Sequence, residues 1–386
     1  MGARRGSLES LALRCKFWPN TMIDFWRGRR VLLTGHTGFK GGWLALWLHE
    51  LGADVYGLAL APEMPNSFFE LCRLERVIHS TIGDVRDDAV VRSALKASNA
   101  EVVFHLAAQA LVRRSYREPA ATFETNVMGT VNVLDAIRRS PAVRSAVIVT
   151  SDKCYENHSS PKSYREDDRL GGSDPYSASK ACTELVAHAY TKSFFERADC
   201  AFAMATARAG NVIGGGDQSL DRIVPDAVHA LSRNETLIVR NPGAVRPWQH
   251  VLEPLSGYLM LAERLYTDGK QWSGAWNFGP NEGESVSVAD LAQMLIKEWG
   301  EGAWRAEQRS DGLHESPYLG LDSQRARTLL SWRPRLSLRD AVRLTIEWYR
   351  ESLNDPLPNM YQPTVRQLHQ YDDLLHAPDR PIAASR

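Results

Sequence analysis

The chain has no excess of charge of either sign, few cysteines and no long hydrophobic run. Its 386 residues include 46 basic and 46 acidic side chains, so no net field attracts nucleic acid or an anionic membrane. The five cysteines contain no Cys-x-x-Cys pair, which argues against a disulfide framework or a zinc site and fits a reducing cytoplasm. No apolar stretch approaches the ~20 residues of a membrane span. We therefore expect no nucleic-acid partner, no membrane and no metal.

Apolar strand-like runs alternate with helical patterns through the first half of the chain. The runs lie at 54–60, 101–108, 145–152 and 200–208. Near-continuous apolar strands separated by helices predict a parallel sheet that is covered on both faces. The pattern therefore predicts an α/β protein with a doubly wound parallel sheet of the Rossmann type.

The stretch VLLTGHTGFKGG at residues 31–42 is the most informative in the chain. A short apolar run meets Gly35, Gly38 and Gly41, and a helical pattern follows at once. In that context the first glycine makes a tight turn, the second admits a pyrophosphate to the backbone, and the third lets helix pack on strand. The helix N-terminus then faces the phosphates. The alternative is a tight turn that binds nothing. The candidate cofactor-binding residues here are Gly35, Thr37, Gly38, Phe39, Lys40 and Gly41.

Beyond residue 210 the alternation breaks, and glycines and prolines separate shorter elements. We predict a dinucleotide-binding domain over 22–210, with part of 245–275, and a smaller substrate-binding lobe mainly over 211–350. Such a lobe would cover the carboxyl ends of the strands, where an open α/β sheet binds ligands. We expect residues 1–21 to be a disordered extension and residues 351–386 to be a loosely attached tail.

A tyrosine and a lysine four residues apart lie in the sequence DPYSASKACTE. On a helix Tyr176 and Lys180 share a face. An ammonium near a phenol favours the phenolate, so Lys180 is expected to lower the pKa of Tyr176. Tyr176 can then take a hydroxyl proton while a nicotinamide takes the hydride, and Lys180 can also reach ribose hydroxyls. An exposed tyrosine beside a solvated lysine is the alternative.

Together these motifs resemble the extended short-chain dehydrogenases/reductases that modify nucleotide sugars, over roughly residues 24 to 350. Five blocks narrow the resemblance to the cytidine-linked sugar-nucleotide 4,6-dehydratases: GHTGFKGGWLALWL, TSDKCYEN, LGGSDPYSASKACTELV, GNVIGGGD and RPWQHVLEPL. The resemblance implies NAD as cofactor, CDP-glucose as substrate, and deoxysugar biosynthesis in the cytoplasm. By analogy alone it also implies a homodimer or homotetramer.

The resemblance gives roles to three residues at the end of a predicted strand. Ser151 would hydrogen-bond the C4 oxygen beside Tyr176. Lys153, if neutral, would remove the C5 proton that a C4 ketone acidifies, and Asp152, if protonated, would protonate the departing C6 hydroxyl. Thymidine-linked relatives have a glutamate in place of the lysine. An ion pair between Asp152 and Lys153 at a strand end is the alternative interpretation.

Further ligand candidates follow from the resemblance and from position at strand ends. Asp84 is expected to bond the adenine, and Arg246 is the best candidate for the diphosphate because arginine offers a bidentate fork. The other candidates are Val85, Ala107, Ala108, Gln109 and Asn126 on the cofactor side, and Asn211 and Arg222 on the substrate side. Each of these could equally be structural. His250 is expected to be a structural histidine.

One feature of a typical NAD site is missing. The second predicted strand ends Gly57-Leu58-Ala59-Leu60-Ala61, with no acid before Glu63 to bind the ribose hydroxyls. No arginine there favours NADP either. We therefore expect NAD to bind weakly. A nucleotide-sugar 4-epimerase, a dehydratase of another nucleotide hexose and a non-catalytic nucleotide-sugar binder remain open as alternatives.

Overall fold

The computed structural model describes residues 24–157, 162–281, 283–307 and 317–377. At its centre is a seven-stranded parallel sheet in the order β11-β6-β5-β4-β1-β2-β3. The chain adds strands in one direction from β1 to β3, and then in the other direction from β4 onward. The predicted doubly wound parallel sheet is therefore confirmed. The predicted extension at 1–21 lies outside the described residues.

The strands have these bounds: β1 Arg30–Thr34, β2 Asp54–Ala59, β3 His79–Ile82, β4 Val102–His105, β5 Ser145–Val149, β6 Ala203–Ala209, β7 Val212–Ile213, β8 Leu237–Val239, β9 Val245–Arg246, β10 Gln249–His250, β11 Gly274–Phe278, β12 Val286–Ser287 and β13 Trp304–Ala306. The short strands outside the main sheet form two-stranded pairs: β10 with β7, β12 with β9 and β13 with β8.

The α-helices have these bounds: α1 Phe39–Glu50, α2 Phe68–Leu71, α3 Asp88–Ser98, α4 Val112–Arg117, α5 Pro119–Phe123, α6 Gly129–Arg138, α7 Pro175–Tyr190, α8 Ile223–Leu231, α9 Leu252–Thr267, α10 Val288–Trp299, α11 Gln324–Leu329, α12 Leu338–Leu353 and α13 Tyr361–His376. Short 3₁₀ turns lie at Leu74–Arg76, Asp152–Cys154 and Gly269–Trp272, and π-helical turns lie at Glu124–Met128 and Thr191–Phe195.

Helix α1 is buried on nearly every side, which explains why its sequence is apolar all round rather than amphipathic. Trp43 and Trp47 are both completely buried. The ring of Trp43 stacks on Phe68, with ring centroids 5.1 Å apart, and Trp47 meets Tyr371 edge to face at 5.7 Å. Helix α1 therefore lies between the sheet and other helices, and its N-terminus lies at the carboxyl ends of the strands.

The carboxyl-terminal helix corrects the expectation of a loosely attached tail. Helix α13 packs on α1 and α12, and its Leu368 and Tyr371 are completely buried. The hydroxyl of Tyr371 donates a 2.7 Å hydrogen bond to the carboxylate of Glu253 on α9. Polar side chains such as Gln362, Arg366 and Asp373 lie on the exposed face of this amphipathic helix, whereas Asp372 is buried. On the buried face, Tyr371 contacts the ring of Trp47.

Residues from the second half of the chain also complete the central sheet. Strand β11 pairs in parallel with β6, and α9 packs on β5 and β6. Thus the sheet layer takes in α9 and β11 from the second half of the chain as well as β1 to β6. Within the described ranges, no helix combines the length and the apolar character that crossing a membrane requires.

Candidate functional site

A cavity of about 690 Å³ opens at the carboxyl ends of the central strands. It lies over the point where the winding of the sheet reverses between β1 and β4, the position at which open α/β sheets bind ligands. Its walls include the turns after β1, β2, β3, β4 and β5 and a segment after β6. Every predicted site residue except Asn126 lines this one cavity.

The glycine-rich turn after β1 is packed so tightly that side chains are excluded. Gly35 has a φ of +84°, and a Cβ on it would lie 2.8 Å from the backbone nitrogen of Ala107. A Cβ on Gly41 would lie 2.0 Å from the carbonyl oxygen of Gly35. Thr37 donates a 2.8 Å hydrogen bond to the carbonyl of Leu60, which ties the turn to the end of β2.

The N-terminus of α1 faces the cavity without a side-chain cap and without an acidic residue in its first turn. Its backbone N–H groups and positive dipole end are thus available to an anionic group. This close-packed glycine turn followed by an uncapped helix start fits the diphosphate of a dinucleotide such as NAD. The residues that would hold it are Gly35, Thr37, Gly38, Phe39, Lys40 and Gly41.

The turn that follows β5 presents three adjacent polar residues. Ser151 Oγ donates a 3.0 Å hydrogen bond to Asp152 Oδ1 and accepts one from the backbone of Lys153 at 3.2 Å. Asp152 is 3% exposed, and its Oδ2 has no hydrogen-bond partner among the residues that the structure describes. Burial raises the pKa of Asp152, although the charges of Lys153 and Arg246 oppose the shift. The carboxyl group is thus disposed to hold a proton.

Tyr176 and Lys180 lie on the first turns of α7 and are both buried at the cavity wall. Burial raises the pKa of Tyr176 to about 12, while a hydrogen bond with Ser151 acts in the opposite direction. The expectation that Lys180 lowers this pKa is wrong in this structure. Burial is the largest influence on the phenol and raises its pKa, and the Lys180 ammonium donates a hydrogen bond to the backbone carbonyl of Val149 at 3.2 Å.

Lys40 lies within the same electrostatic environment. Burial lowers the pKa of Lys40 to about 7, and the charge of Arg222 adds to the shift, while Asp152 opposes it. The Lys40 ammonium lies 5.8 Å from the ring centroid of Tyr258. The charges of Lys40 and Arg246 both favour the ionised form of Asp152. This accumulation of cations around one buried carboxyl suits an anionic ligand.

The predicted adenine contact, Asp84, follows β3 and is held by Arg86. Its Oδ2 accepts hydrogen bonds of 2.6 and 2.8 Å from the guanidinium, and these bonds lower its pKa. Val85 beside it is buried and contacts Gly129 on α6. Both residues line the cavity, at the end of the strand next to β2.

Asn126 acts on the loop after β4 rather than on the cavity. It lies in a π-helical turn, a feature that is frequent at functional sites. Its side chain accepts a 2.8 Å hydrogen bond from the backbone of Gln109, and it donates one to the Gln109 carbonyl at 3.0 Å and one to Ser179 at 2.8 Å. The amide thereby fixes Ala107, Ala108 and Gln109 relative to α7.

The predicted substrate residues Asn211, Arg222 and Arg246 line the same cavity. Arg222 pairs with Asp217 at 2.9 Å, and Arg246 is 3% exposed and donates to the carbonyl of Val245 at 2.8 Å. Asn211 lies after β6, where its carbonyl accepts a hydrogen bond from the backbone of Gln249. Burial lowers the pKa of His250 to about 3, so this histidine is neutral.

Two acidic residues near the site escaped the sequence interpretation. Asp217, the last residue of the GNVIGGGD block, is 3% exposed and orients Arg222. Glu184 lies one helical turn after Lys180 and binds Thr150, the residue before Ser151, at 2.5 Å. The signal in the sequence that could have indicated Glu184 was its spacing of four residues from Lys180, which places both side chains on one face of α7. In the described part of the chain, no group of three or more His, Cys, Asp or Glu could hold a metal ion.

Comparisons with known proteins agree with this geometry. The family model for GDP-mannose 4,6 dehydratase matches residues 32–345. A CDP-glucose 4,6-dehydratase of Salmonella typhimurium is 47% identical over 335 residues, which cover 85% of this chain and 93% of that relative.

Solved structures share the fold. MoeE5 in complex with UDP-glucose and NAD has a TM-score of 0.71 at 26% identity, and the match covers 84% of this chain and 99% of MoeE5. The dTDP-glucose 4,6-dehydratase DesIV of Streptomyces venezuelae, with NAD and TYD bound, has a TM-score of 0.71 at 24% identity, covering 85% of this chain and 99% of DesIV.

Proposed function

The chain belongs to the GDP-mannose 4,6-dehydratase family, and from that premise we propose that it converts CDP-glucose to CDP-4-keto-6-deoxyglucose, with NAD as its cofactor. The observation that carries this proposal is the placement of Asp152 and Lys153 in the same cavity as Tyr176 and Lys180. A 4-epimerase needs the tyrosine and the lysine but no acid–base pair. The high identity to the Salmonella enzyme favours the cytidine nucleotide and glucose.

When bound at the turn that contains Gly35, Thr37 and Gly38, NAD would supply the group that accepts a hydride from the hexose and later gives it back. For the first transfer Tyr176 accepts the proton of the C4 hydroxyl, and Ser151 hydrogen-bonds the same oxygen. Because the pKa of Tyr176 is raised to about 12 in this structure, the phenol is protonated before the ligands bind. A nearby positive charge is required to make it a base at neutral pH.

Residues of the turn after β5 carry out the elimination of water. Lys153 in its neutral form removes the C5 proton, which the C4 ketone acidifies. Asp152, whose pKa burial raises, gives its proton to the C6 hydroxyl, which leaves as water. When the hydride enters C6, Lys153 returns its proton to C5. Tyr176 is then left with one additional proton and Asp152 with one fewer, and exchange with solvent restores both, so the net change is the loss of one water molecule.

A mass-spectrometric assay of purified protein tests the proposal. CDP-, dTDP-, GDP- and UDP-hexoses are each incubated with a catalytic amount of NAD. We expect CDP-glucose to lose water with no net accumulation of NADH. Interconversion of epimers without mass change would identify an epimerase, stoichiometric NADH would identify a simple dehydrogenase, and binding without turnover would identify a non-catalytic binder. Preference for another nucleotide would correct the substrate only.

We further propose that the protein acts in the cytoplasm as a homodimer or homotetramer. The cysteines Cys72, Cys154, Cys182 and Cys200 are unpaired in the structure, as a reducing compartment requires. Helices α5 and α7 pack against each other, and the apolar side chains of Met128 and Leu185 beside and on them are 50% and 58% exposed. We expect the exposed surface around Met128 and Leu185 to form the interface between subunits. Light scattering of the wild type and of Leu185→Glu tests this expectation, because a charge at Leu185 should favour the monomer.

A further inference from the structure

A buried ion pair lies directly behind the catalytic turn, outside the cavity. Glu184 on α7 and Arg208 on β6 are 4% and 3% exposed. The Arg208 guanidinium meets the carboxylate through two hydrogen bonds, Nε to Oε1 at 2.9 Å and Nη2 to Oε2 at 2.8 Å. Such bidentate pairing is strong and directional, but burying it is costly, so a pair of this kind is a weak source of stability. Its position suggests a different purpose.

The carboxylate side of the pair holds the residue that precedes the catalytic turn. Glu184 Oε1 accepts a hydrogen bond from the Thr150 hydroxyl at 2.5 Å, and Oε2 accepts one from the Thr206 hydroxyl at 2.7 Å. Thr150 is followed immediately by Ser151 and Asp152. Glu184 is therefore connected to the start of the turn by one side chain.

The guanidinium side holds the residue that follows the turn. Arg208 Nη1 donates to the Tyr155 hydroxyl at 2.8 Å, and Tyr155 donates onward to Asn277 Oδ1 at 2.7 Å. The Arg208 guanidinium also lies 4.8 Å from the centroid of the Tyr155 ring. The two ends of segment 150–155 are thus fixed to opposite members of one ion pair.

We propose that Glu184 and Arg208 are positioning residues for the dehydration. They hold Ser151, Asp152 and Lys153 in the positions, relative to Lys180, that the reaction requires. This inference rests on the proposed function. Neither residue lines the cavity, so each acts through its neighbours rather than by touching the substrate. Because Glu184 and Lys180 share α7, the same carboxylate links the catalytic turn to the helix that carries the tyrosine and the lysine.

The charge of Glu184 gives the pair a measurable effect on Lys180. Burial lowers the pKa of Lys180 to about 8, and Glu184 opposes that shift, with a smaller contribution from Cys154. Lys40 on α1 and His105 on β4 also interact electrostatically with Lys180, and burial keeps that histidine neutral by lowering its pKa to about 3. Removing the Glu184 charge should therefore lower the pKa of Lys180.

The decisive variant is Glu184→Gln, which keeps the shape of the side chain and removes its charge. We expect kcat for water loss to fall about 10-fold or more, because small misplacements of catalytic groups are costly. KM for the nucleotide sugar should change less than about 3-fold. The alkaline limb of the kcat profile should move to lower pH, and ¹³Cε-lysine NMR, with Lys180→Arg to assign the signal, should show the same shift without any turnover.

Matched variants separate positioning from general destabilisation. Glu184→Asp keeps the charge, so it should retain the wild-type pH limb even if its kcat is lower. Glu253→Gln removes another buried carboxylate, which binds Tyr371 and the backbone of Leu336, and it should leave kcat and the Lys180 signal unchanged. Thr150→Val should lower kcat, and Thr150→Ser, which restores the hydroxyl, should recover it.

The outcomes distinguish this inference from the proposed function. Wild-type protein that does not remove water from CDP-glucose would contradict the proposed function, and the Lys180 titration would still test the pair. If the wild type is active and Glu184→Gln has the same kcat and the same pH profile of kcat as the wild type, the positioning role is overturned and the proposed function is not. If Glu184→Gln does not fold, the variants Thr150→Val and Thr150→Ser test the inference instead. Equal kcat in Thr150→Val and wild type would overturn it.

Discussion

The ammonium of Lys180 donates a hydrogen bond to the backbone carbonyl of Val149 at 3.2 Å. Val149 is the last residue of β5, and Lys180 lies in the second turn of α7. The bond therefore joins the strand that leads into Ser151 and Asp152 to the helix that carries Tyr176. Lys180 is thus anchored to the strand by one of its three N–H donors, which leaves the other two for ligands in the cavity.

The assignment of base and acid is tested by two substitutions in the catalytic turn. Lys153→Met removes the proposed base, so C4 oxidation should remain possible while the C5 proton stays in place. Asp152→Asn keeps the base and removes the acid, so C5 exchange should persist while elimination slows. Both are measured by the uptake of solvent deuterium at C5 and by loss of water in mass spectra. Wild-type exchange in Lys153→Met would mean that another residue is the base.

The tyrosine is tested by Tyr176→Phe, which keeps the ring and removes the proton acceptor. We expect kcat to fall by about 10²–10⁴, the usual scale of general acid–base catalysis, with little change in substrate affinity. Tyr361→Phe is the control, because its hydroxyl binds Glu50 on α1, away from the catalytic turn. An active Tyr176→Phe enzyme would remove Tyr176 from the mechanism.

The end of β2 predicts weak retention of the cofactor. Ala59, Leu60 and Ala61 line the cavity there without a carboxylate for the ribose hydroxyls, and Glu63 is paired with Arg114 at 2.6 Å. We expect purified protein to be only partly loaded with NAD after dialysis and to be stimulated by added NAD. The measurement is the NAD released from denatured protein per chain. Full occupancy after extensive dialysis would contradict the prediction.

Asp372 on α13 predicts a loss of stability as the pH rises from about 4 to about 8. The side chain is completely buried, and burial together with Asp373 raises its pKa from 3.8 to about 8. The folded state therefore binds this proton more tightly than the unfolded state does. Stability is fully present below about pH 4 and decreases as the pH rises through about 8.

Asp372→Asn, which is neutral at every pH, should therefore raise the free energy of unfolding at pH 8 by at least ~1 kcal/mol and have little effect at pH 4. Urea unfolding between pH 4 and pH 9 measures the difference. Asp167→Asn is the control, because that side chain is exposed and is not among the groups that raise the pKa of Asp372, so it should change stability much less. A wild-type and an Asp372→Asn protein with parallel pH profiles would show that Asp372 is not the group responsible.

Local patterns in the sequence were sufficient for the sheet and for most of the candidate site. Apolar runs separated by helices define parallel strands, and parallel strands place their carboxyl ends at one edge. Residues at the ends of those runs, such as Gly35, Gln109 and Ser151, therefore meet in one cavity. Periodicity also places Tyr176 and Lys180 on one helix, because a spacing of four residues is a property of the helix itself.

Only the tertiary structure decided which distant segments complete those elements. The pairing of β11 with β6, the docking of α13 on Trp47 and the ion pair between Glu184 and Arg208 join residues whose separation carries no local pattern. The pKa of Tyr176 was predicted in the wrong direction for the same reason. Spacing along a helix was visible in the sequence, whereas burial and the partner chosen by Lys180 depend on the packed surroundings.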